Sequence, residues 1–301
     1  MSLFFRDAGW GLNMSSQISV SVVIPAIDAA ATIEDILQRL IPQADEILLA
    51  DSSQDGTAEL VQSRFPSVRV LPCPDCRSIE ELRYRGLEQA GCEVVVLTEQ
   101  AVLPGEGWIA QIRRAAAGGV QAGAGAVLPH PAASTAAWAI YFARYVRFMP
   151  PLPCGNLPDG SGLNVFYRRR LLEDHLEKMN GRFPETLFHR LLHQAGHRIQ
   201  AVPEASVASL ESEAFSRFFR GRFHSGRSYA RLRAPGLSSM ARLLRLLLCP
   251  ALPLLLWLRS ARTVLQRRRY AGPFVRCSAI LMAYYAAWAA GEAAGYWRPK
   301  R

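Results

Sequence analysis

The sequence predicts an α/β protein, with a Rossmann-like, mostly parallel sheet followed by a helical segment of different character. Three observations carry this. Between residues 18 and 97, β-branched runs alternate with stretches of helical periodicity. Polar, turn-rich text follows the strand-like runs directly. From about Phe215 the chain turns basic and then strongly apolar.

The elements follow in order. Ile18–Ile24 (ISVSVVI) reads as a buried parallel strand ending at Pro25. Ala30–Leu40 places Ile33, Ile36, Leu37 and Leu40 at helical spacing. Glu46–Ala50 is a second strand, followed by the turn DSSQDGT and a helix over Ala58–Arg64. Val68–Leu71 is a third strand, Ile79–Ala90 a helix and Glu93–Leu97 a fourth strand. Strand and helix in this rhythm give an open sheet with helices on both faces, whose ligands sit at the carboxyl ends of the strands. Pro25–Asp28, Asp51–Thr57 and Thr98–Ala101 should therefore share one crevice. The text from Gly118 to Pro153 is rich in Ala and Gly and then aromatic. Helical pieces are expected within Gly162–Leu172 and Phe183–Gly196. The expected organisation is an N-terminal extension over 1–17, an α/β sheet domain over 18–214 and a basic, apolar helical region over 215–301.

The 301 residues are half hydrophobic, which is enough for a large core. A formal net charge of +10 favours an anionic partner: a phosphate-bearing ligand, a nucleic acid or an anionic bilayer. No helix-turn-helix or aromatic-interleaved recognition motif supports the nucleic acid. The six cysteines are scattered, and the Cys73–Cys76 pair lacks a second pair or histidines to complete a zinc site. Met1–Gln17 lacks the pattern of a cleaved signal peptide, so a cytosolic setting is expected.

Asp51 directly follows a strand, where a carboxylate can accept hydrogen bonds from a base or ribose, and Asp55-Gly56-Thr57 can turn the chain and cap the next helix. At this point the sequence resembles the family 2 glycosyltransferases with the GT-A fold. The resemblance rests on SVVIPAIDAAATI, DEILLADSSQDGTAELV, LRYRGLEQAGCEVVVLTEQAVLPGEGW and SGLNVFYRR, in that order. It implies a nucleotide-diphospho-sugar donor held by Pro25, Ala26, Asp28 and Asp51, with Ala50 where the family usually has another acid. It also implies Arg83 at the nucleotide end of the crevice, where an arginine fork can hold a diphosphate.

The family usually carries an Asp-x-Asp motif at the end of the fourth strand, holding Mg²⁺ or Mn²⁺ against the diphosphate. Here the text is Thr98-Glu99-Gln100-Ala101, with Glu99 as the metal candidate and Gln100 offering a neutral carbonyl. Three outcomes fit: a weak metal site, catalysis with arginines replacing the cation, or lost activity. By the same resemblance, Gly162 and Asn164 belong to the loop approaching donor and acceptor. Glu185 is then the candidate base for the acceptor hydroxyl, with His189 four residues on supporting or replacing it. Arg222 and Arg227 are candidates either for the diphosphate or for lipid headgroups.

The implied reaction moves a sugar, with inversion, to a cell-envelope or lipid-linked acceptor; the alternative is a catalytically silent GT-A module that binds nucleotide or partners an active transferase. Leu243–Leu258 is apolar but shorter than the roughly 20 residues a spanning helix needs, and contains Arg245, Pro250 and Pro253. Phe274–Trp297 is long enough but carries Arg276 and Glu292. Arg259, Arg262 and Arg267–Arg269 lie between the two. These features predict two helices dipping into one leaflet from the cytosolic face, with their arginines at an anionic membrane surface. A soluble helical pair packed on the transferase domain is the other arrangement these lengths allow.

Overall fold

The computed structural model describes residues 18–211 and 214–297; the extension expected over 1–17 lies outside the described residues. Strands β1 (Val20–Ala26), β2 (Glu46–Asp51), β3 (Arg69–Pro72) and β4 (Val94–Leu97) alternate with helices α1 (Ile33–Leu40), α2 (Thr57–Arg64) and α3 (Ile79–Gln89). Then come β5 (Val102–Pro104), α4 (Trp108–Ala117), β6 (Ala122–Ala124), β7 (Val127–Leu128) and α5 (Thr135–Tyr145). They are followed by β8 (Asn156–Leu157), β9 (Val165–Arg168), α6 (Arg169–Leu176), α7 (Glu185–Gln194), β10 (Ile199–Ala201) and β11 (Val207–Ser209). The chain closes with helices α8 (Phe215–Arg233), α9 (Ser239–Leu248), α10 (Leu252–Arg267) and α11 (Ala271–Trp297).

The main sheet runs β3-β2-β1-β4-β9-β6-β10-β8, and β5-β11-β7 forms a small second sheet. The four strands read from the sequence pair in parallel, with β1 buried along its whole length between β2 and β4. β1 continues through Pro25 to Ala26, beyond the expected stop. The Val23 carbonyl accepts from Thr98 N–H at the end of β4, and alternate residues face the same neighbour. Pro25 therefore faces the β4 side just where β4 has ended, and its missing N–H costs no ladder bond. Val165–Arg168 lies in the stretch where helical pieces were expected. It is instead a strand, antiparallel to both β4 and β6, and the helix begins only at Arg169.

The C-terminal helices share the core of the sheet domain. Phe274, Cys277, Leu281, Tyr284 and Tyr285 of α11 are buried in one apolar cluster with Tyr141, Phe142 and Tyr145 of α5. The Phe142 and Phe274 rings meet edge to face at 5.1 Å, and Trp138 lies 5.0 Å from Tyr270. α8 lies so close along α11 that a Cβ at Gly226 or Gly291 would strike the Trp288 or Phe223 carbonyl of the facing helix. The expected second lipid-dipping helix is thus a core helix, because its small residues admit α8 and its aromatic residues fill the space beside α5. α9 and α10 behave otherwise. They are joined by a 3₁₀ turn at Cys249–Ala251, and Leu243, Leu244, Leu247, Leu254, Leu255 and Leu258 are exposed. Among the described residues, the stretch Ser239–Arg267 is long and apolar enough to cross a membrane by length and composition.

Candidate active site

The three segments expected to share a crevice are laced together beyond the ends of β1, β2 and β4. Asp28 has φ +50°, a left-handed conformation that turns the chain sharply after β1. Its N–H donates to Ser53 Oγ (2.9 Å), and its carboxylate accepts from Gln54 N–H (2.9 Å). Asp55 accepts from Ala30 N–H at 3.0 Å, and Thr57 Oγ1 accepts from Ala29 N–H at the same distance. Asp51 is nearly buried and accepts from Ser53 Oγ at 2.6 Å and Ser53 N–H at 3.3 Å. Burial pushes its carboxyl above the ordinary range, against the two bonds from Ser53. Pro25 and Ala26 are buried, so they can offer a ligand only their backbone.

Beyond β4, Arg83 of α3 is buried and forms ion pairs with both Glu99 and Glu185. Burial opposes its charge, yet the two carboxylates hold it protonated more firmly than an ordinary arginine. Glu185 is the first residue of α7, where a carboxylate also suits the helix dipole. A Cβ at Gly162 would strike the Arg83 guanidinium, so glycine there lets the arginine lie flat under the 160–162 loop. The Arg83 Nε and the Thr98 hydroxyl are buried without a hydrogen-bond partner among the described residues.

His189 does not reach the crevice as a base. Its Nδ1 meets Asp159 at 2.5 Å, its Nε2 meets the Tyr167 hydroxyl at 2.6 Å, and the ring is buried. Asp159 also pairs with Arg147 at 3.2 Å. Burial alone would raise the Asp159 carboxyl, but the His189 bond and Arg147 leave it below the ordinary range. Asp159 and Tyr167 escaped the sequence reading. The available signal was one acid in a glycine-rich turn, PDGSG, just before the recognised loop.

Two further candidates face the protein rather than the crevice. The Asn164 amide accepts from Trp108 Nε1 (3.0 Å) and donates to the carbonyls of Ala126 (2.9 Å) and Ala205 (2.7 Å). The Gln100 amide accepts from Ile27 N–H (2.7 Å) and donates to the Ile27 carbonyl (2.9 Å). Each shapes a loop: both N–H groups of Asn164 are used within the protein, and Gln100 spends one N–H and its oxygen on Ile27.

Arg83, Glu99, Asp159, Gly162 and Glu185 line one end of a cavity of about 790 Å³ between the sheet domain and the C-terminal helices. Arg222 lines the same cavity from α8, its guanidinium 4.3 Å from the centre of the Trp288 ring, and burial pushes its pKa down to about 10. Arg227 is not part of the cavity wall; its backbone packs on Gly295 of α11. As a cation site the strand end is poor. Gln100 is engaged by Ile27, Glu99 is shared with Arg83, and the described residues contain no cluster of three or more His, Cys, Asp or Glu groups. At the end of β4 the chain thus offers a divalent cation one carboxylate, Glu99, and a donor diphosphate would have to supply further oxygens.

A parallel β3-β2-β1-β4 sheet with polar loops gathered at its carboxyl edge, continued by an antiparallel strand and a carboxylate-bearing helix, defines the class: a nucleotide-diphospho-sugar transferase of the GT-A type. The family model for glycosyl transferase family 2 matches residues 21–176, more than half of the chain, and the chain belongs to that family. No curated protein matches it. Among solved structures, the mannosyltransferase PcManGT from Pyrobaculum calidifontis, in complex with GDP-Man and Mn²⁺, aligns with a TM-score of 0.58 at 18% identity. That alignment covers 92% of this chain and 88% of that one, so the shared fold extends into the C-terminal helices. S. aureus TarS 1-349 aligns with a TM-score of 0.45 at 16% identity, over 71% of this chain and 64% of that one.

Proposed function

We propose that this glycosyltransferase moves a sugar from a nucleoside-diphosphate donor to the hydroxyl of an acceptor bound in the cavity, with inversion at the anomeric carbon. Glu185 takes the hydroxyl proton as the acceptor oxygen bonds to that carbon. The bond from the same carbon to the diphosphate breaks, and its electron pair leaves with the nucleotide. Arg83 holds Glu185 and Glu99 in place. Asp51, Asp28 and the backbone at Pro25–Ala26 receive the nucleotide. If a divalent cation accompanies the donor, Glu99 is the carboxylate placed to meet it.

The observation that carries this reading is the convergence of Glu185 and Glu99 on Arg83 at the end of a cavity large enough for a second substrate. Glu185→Gln keeps the shape and removes the proton acceptor. It should lower turnover by about 10²–10⁴-fold with donor affinity nearly unchanged; a loss below about tenfold would remove Glu185 as the base. A second reading, a silent module that binds donor without turnover, is favoured by the single carboxylate at the end of β4. Donor binding seen by calorimetry without transfer or donor hydrolysis would select it.

The exposed leucines of α9 and α10, flanked by Arg242, Arg259 and Arg262, suit an anionic membrane surface on the cytosolic side, where nucleotide sugars are made available. Flotation with anionic vesicles should carry the protein up, less so in high salt and much less for Leu247→Glu/Leu255→Glu. Equal flotation with neutral vesicles would remove the electrostatic part of this reading.

A further inference from the structure

The wall of the cavity that the C-terminal helices form has a different chemistry. Arg222 of α8, Arg245 of α9 and Arg259 of α10 line it, with Arg233 beside them. One carboxylate, Glu292, shares this wall, and it accepts from Trp288 Nε1 at 2.5 Å. Among the described residues, none of these four arginines has an ion-pair partner within 4.0 Å. Arg222 is half-buried, and its Nε has no hydrogen-bond partner. Leu248, Leu252 and Leu256 belong to the same wall. They sit on the same two helices whose other faces expose Leu247, Leu254 and Leu255. The cavity thus combines a carboxylate, a cluster of arginines and an apolar wall on helices that also carry exposed leucines.

We infer that the acceptor is an anionic amphiphile: a phosphate group held by Arg222, Arg245 and Arg259, an apolar chain lying along Leu248, Leu252 and Leu256, and a headgroup hydroxyl reaching Glu185. The inference rests on the transferase reading and names the substrate class of the same cavity. Arg222 and Arg245 are half-buried; without an ion-pair partner such guanidinium groups are costly unless an anion meets them, and phosphate oxygens match their fork geometry. A neutral sugar would leave that cost uncompensated. A free phosphate would leave the leucine wall unused.

The test uses the full chain and short probes below their micelle concentrations: octyl phosphate, octyl glucoside and inorganic phosphate, measured by calorimetry. Octyl phosphate should bind at least about tenfold more tightly than either of the others. Because Arg222 also packs on Trp288, the variant Arg245→Gln/Arg259→Gln carries the test, and it should weaken octyl phosphate by at least about tenfold while nucleotide-sugar affinity stays within about twofold. Arg222→Lys, which keeps the charge, should weaken octyl phosphate less than Arg222→Gln does. Equal affinity for octyl glucoside would overturn the phosphate assignment, and equal affinity for inorganic phosphate would overturn the amphiphile. Unchanged octyl phosphate binding in the double variant, or a loss of nucleotide-sugar affinity in its place, would overturn the site. If the wild type binds no nucleotide sugar while the octyl phosphate results hold, the transferase reading fails and the anion site stands.

Discussion

The side-chain amide of Gln100 is bonded at both ends to the backbone of Ile27, closing the loop after β1 onto the end of β4. The residue that stands where the family usually supplies a metal-binding acid is therefore a structural clamp. A shorter, charged side chain cannot donate to the Ile27 carbonyl. Gln100→Asp should cost about 1–3 kcal/mol of stability and bring no gain in Mn²⁺ affinity. Thermal denaturation with and without Mn²⁺ reads both effects, and a metal-stabilised variant would show that the aspartate turns into the crevice.

Arg83 joins two carboxylates that, among the described residues, have no other cation in contact. Arg83→Met keeps the volume and leaves Glu99 and Glu185 facing each other. The carboxylates are partly solvated, so the expected loss of stability is about 1–3 kcal/mol, below that of a fully buried pair. The triple variant with Glu99→Gln and Glu185→Gln should recover most of it without recovering activity. If Arg83→Met alone melts like the wild type, the ion pairs contribute nothing to the folded state.

The Asp159 carboxyl lies below its ordinary range in the folded protein. Its contribution to stability is therefore fully present above the unfolded-state pKa and fades as pH falls through the depressed folded value. The difference in Tm between wild type and Asp159→Asn should be largest near neutral pH and shrink steadily below the ordinary carboxylate range, near pH 4. A difference independent of pH would mean that Asp159 acts through shape alone.

The Asp51 carboxylate is held by the Ser53 hydroxyl and N–H. Asp51→Asn preserves an acceptor for Ser53 and removes the charge offered to a ribose or base. Donor affinity should fall by at least about tenfold with Tm nearly constant. Calorimetry showing unchanged affinity would place the nucleotide elsewhere along the strand ends.

The first four strands and their helices were legible because each carries an uninterrupted β-branched run or a clear helical period, as Val20–Ile24 and Ile33–Leu40 show. β9 was not, because Val165–Arg168 is four residues long and runs straight into a helix, so no turn separates the two periods. The Glu185 and Glu99 candidates were found by their positions relative to motifs, whereas the arginine joining them had been assigned to a diphosphate. Sequence spacing could not reveal that α3 brings Arg83 between an acid 16 residues later and one 102 residues later. His189 and Asn164 are site candidates by position; the fold buries both and engages them with protein partners, which sequence spacing does not reveal. Phe274–Trp297 was misjudged for a related reason: an apolar helix facing aromatic side chains and one facing lipid have the same composition.

That helix also sets a timetable. α11 is the last described element to be synthesised, yet its Phe274, Leu281 and Tyr284 complete an apolar cluster begun by α5. A ribosome adding about 5–20 residues per second needs on the order of ten seconds to travel from Tyr145 to Ala271. Throughout that interval Trp138, Tyr141 and Phe142 have no partner from α11. Until the final helix emerges, that face depends on a chaperone or on transient packing against the already folded sheet domain.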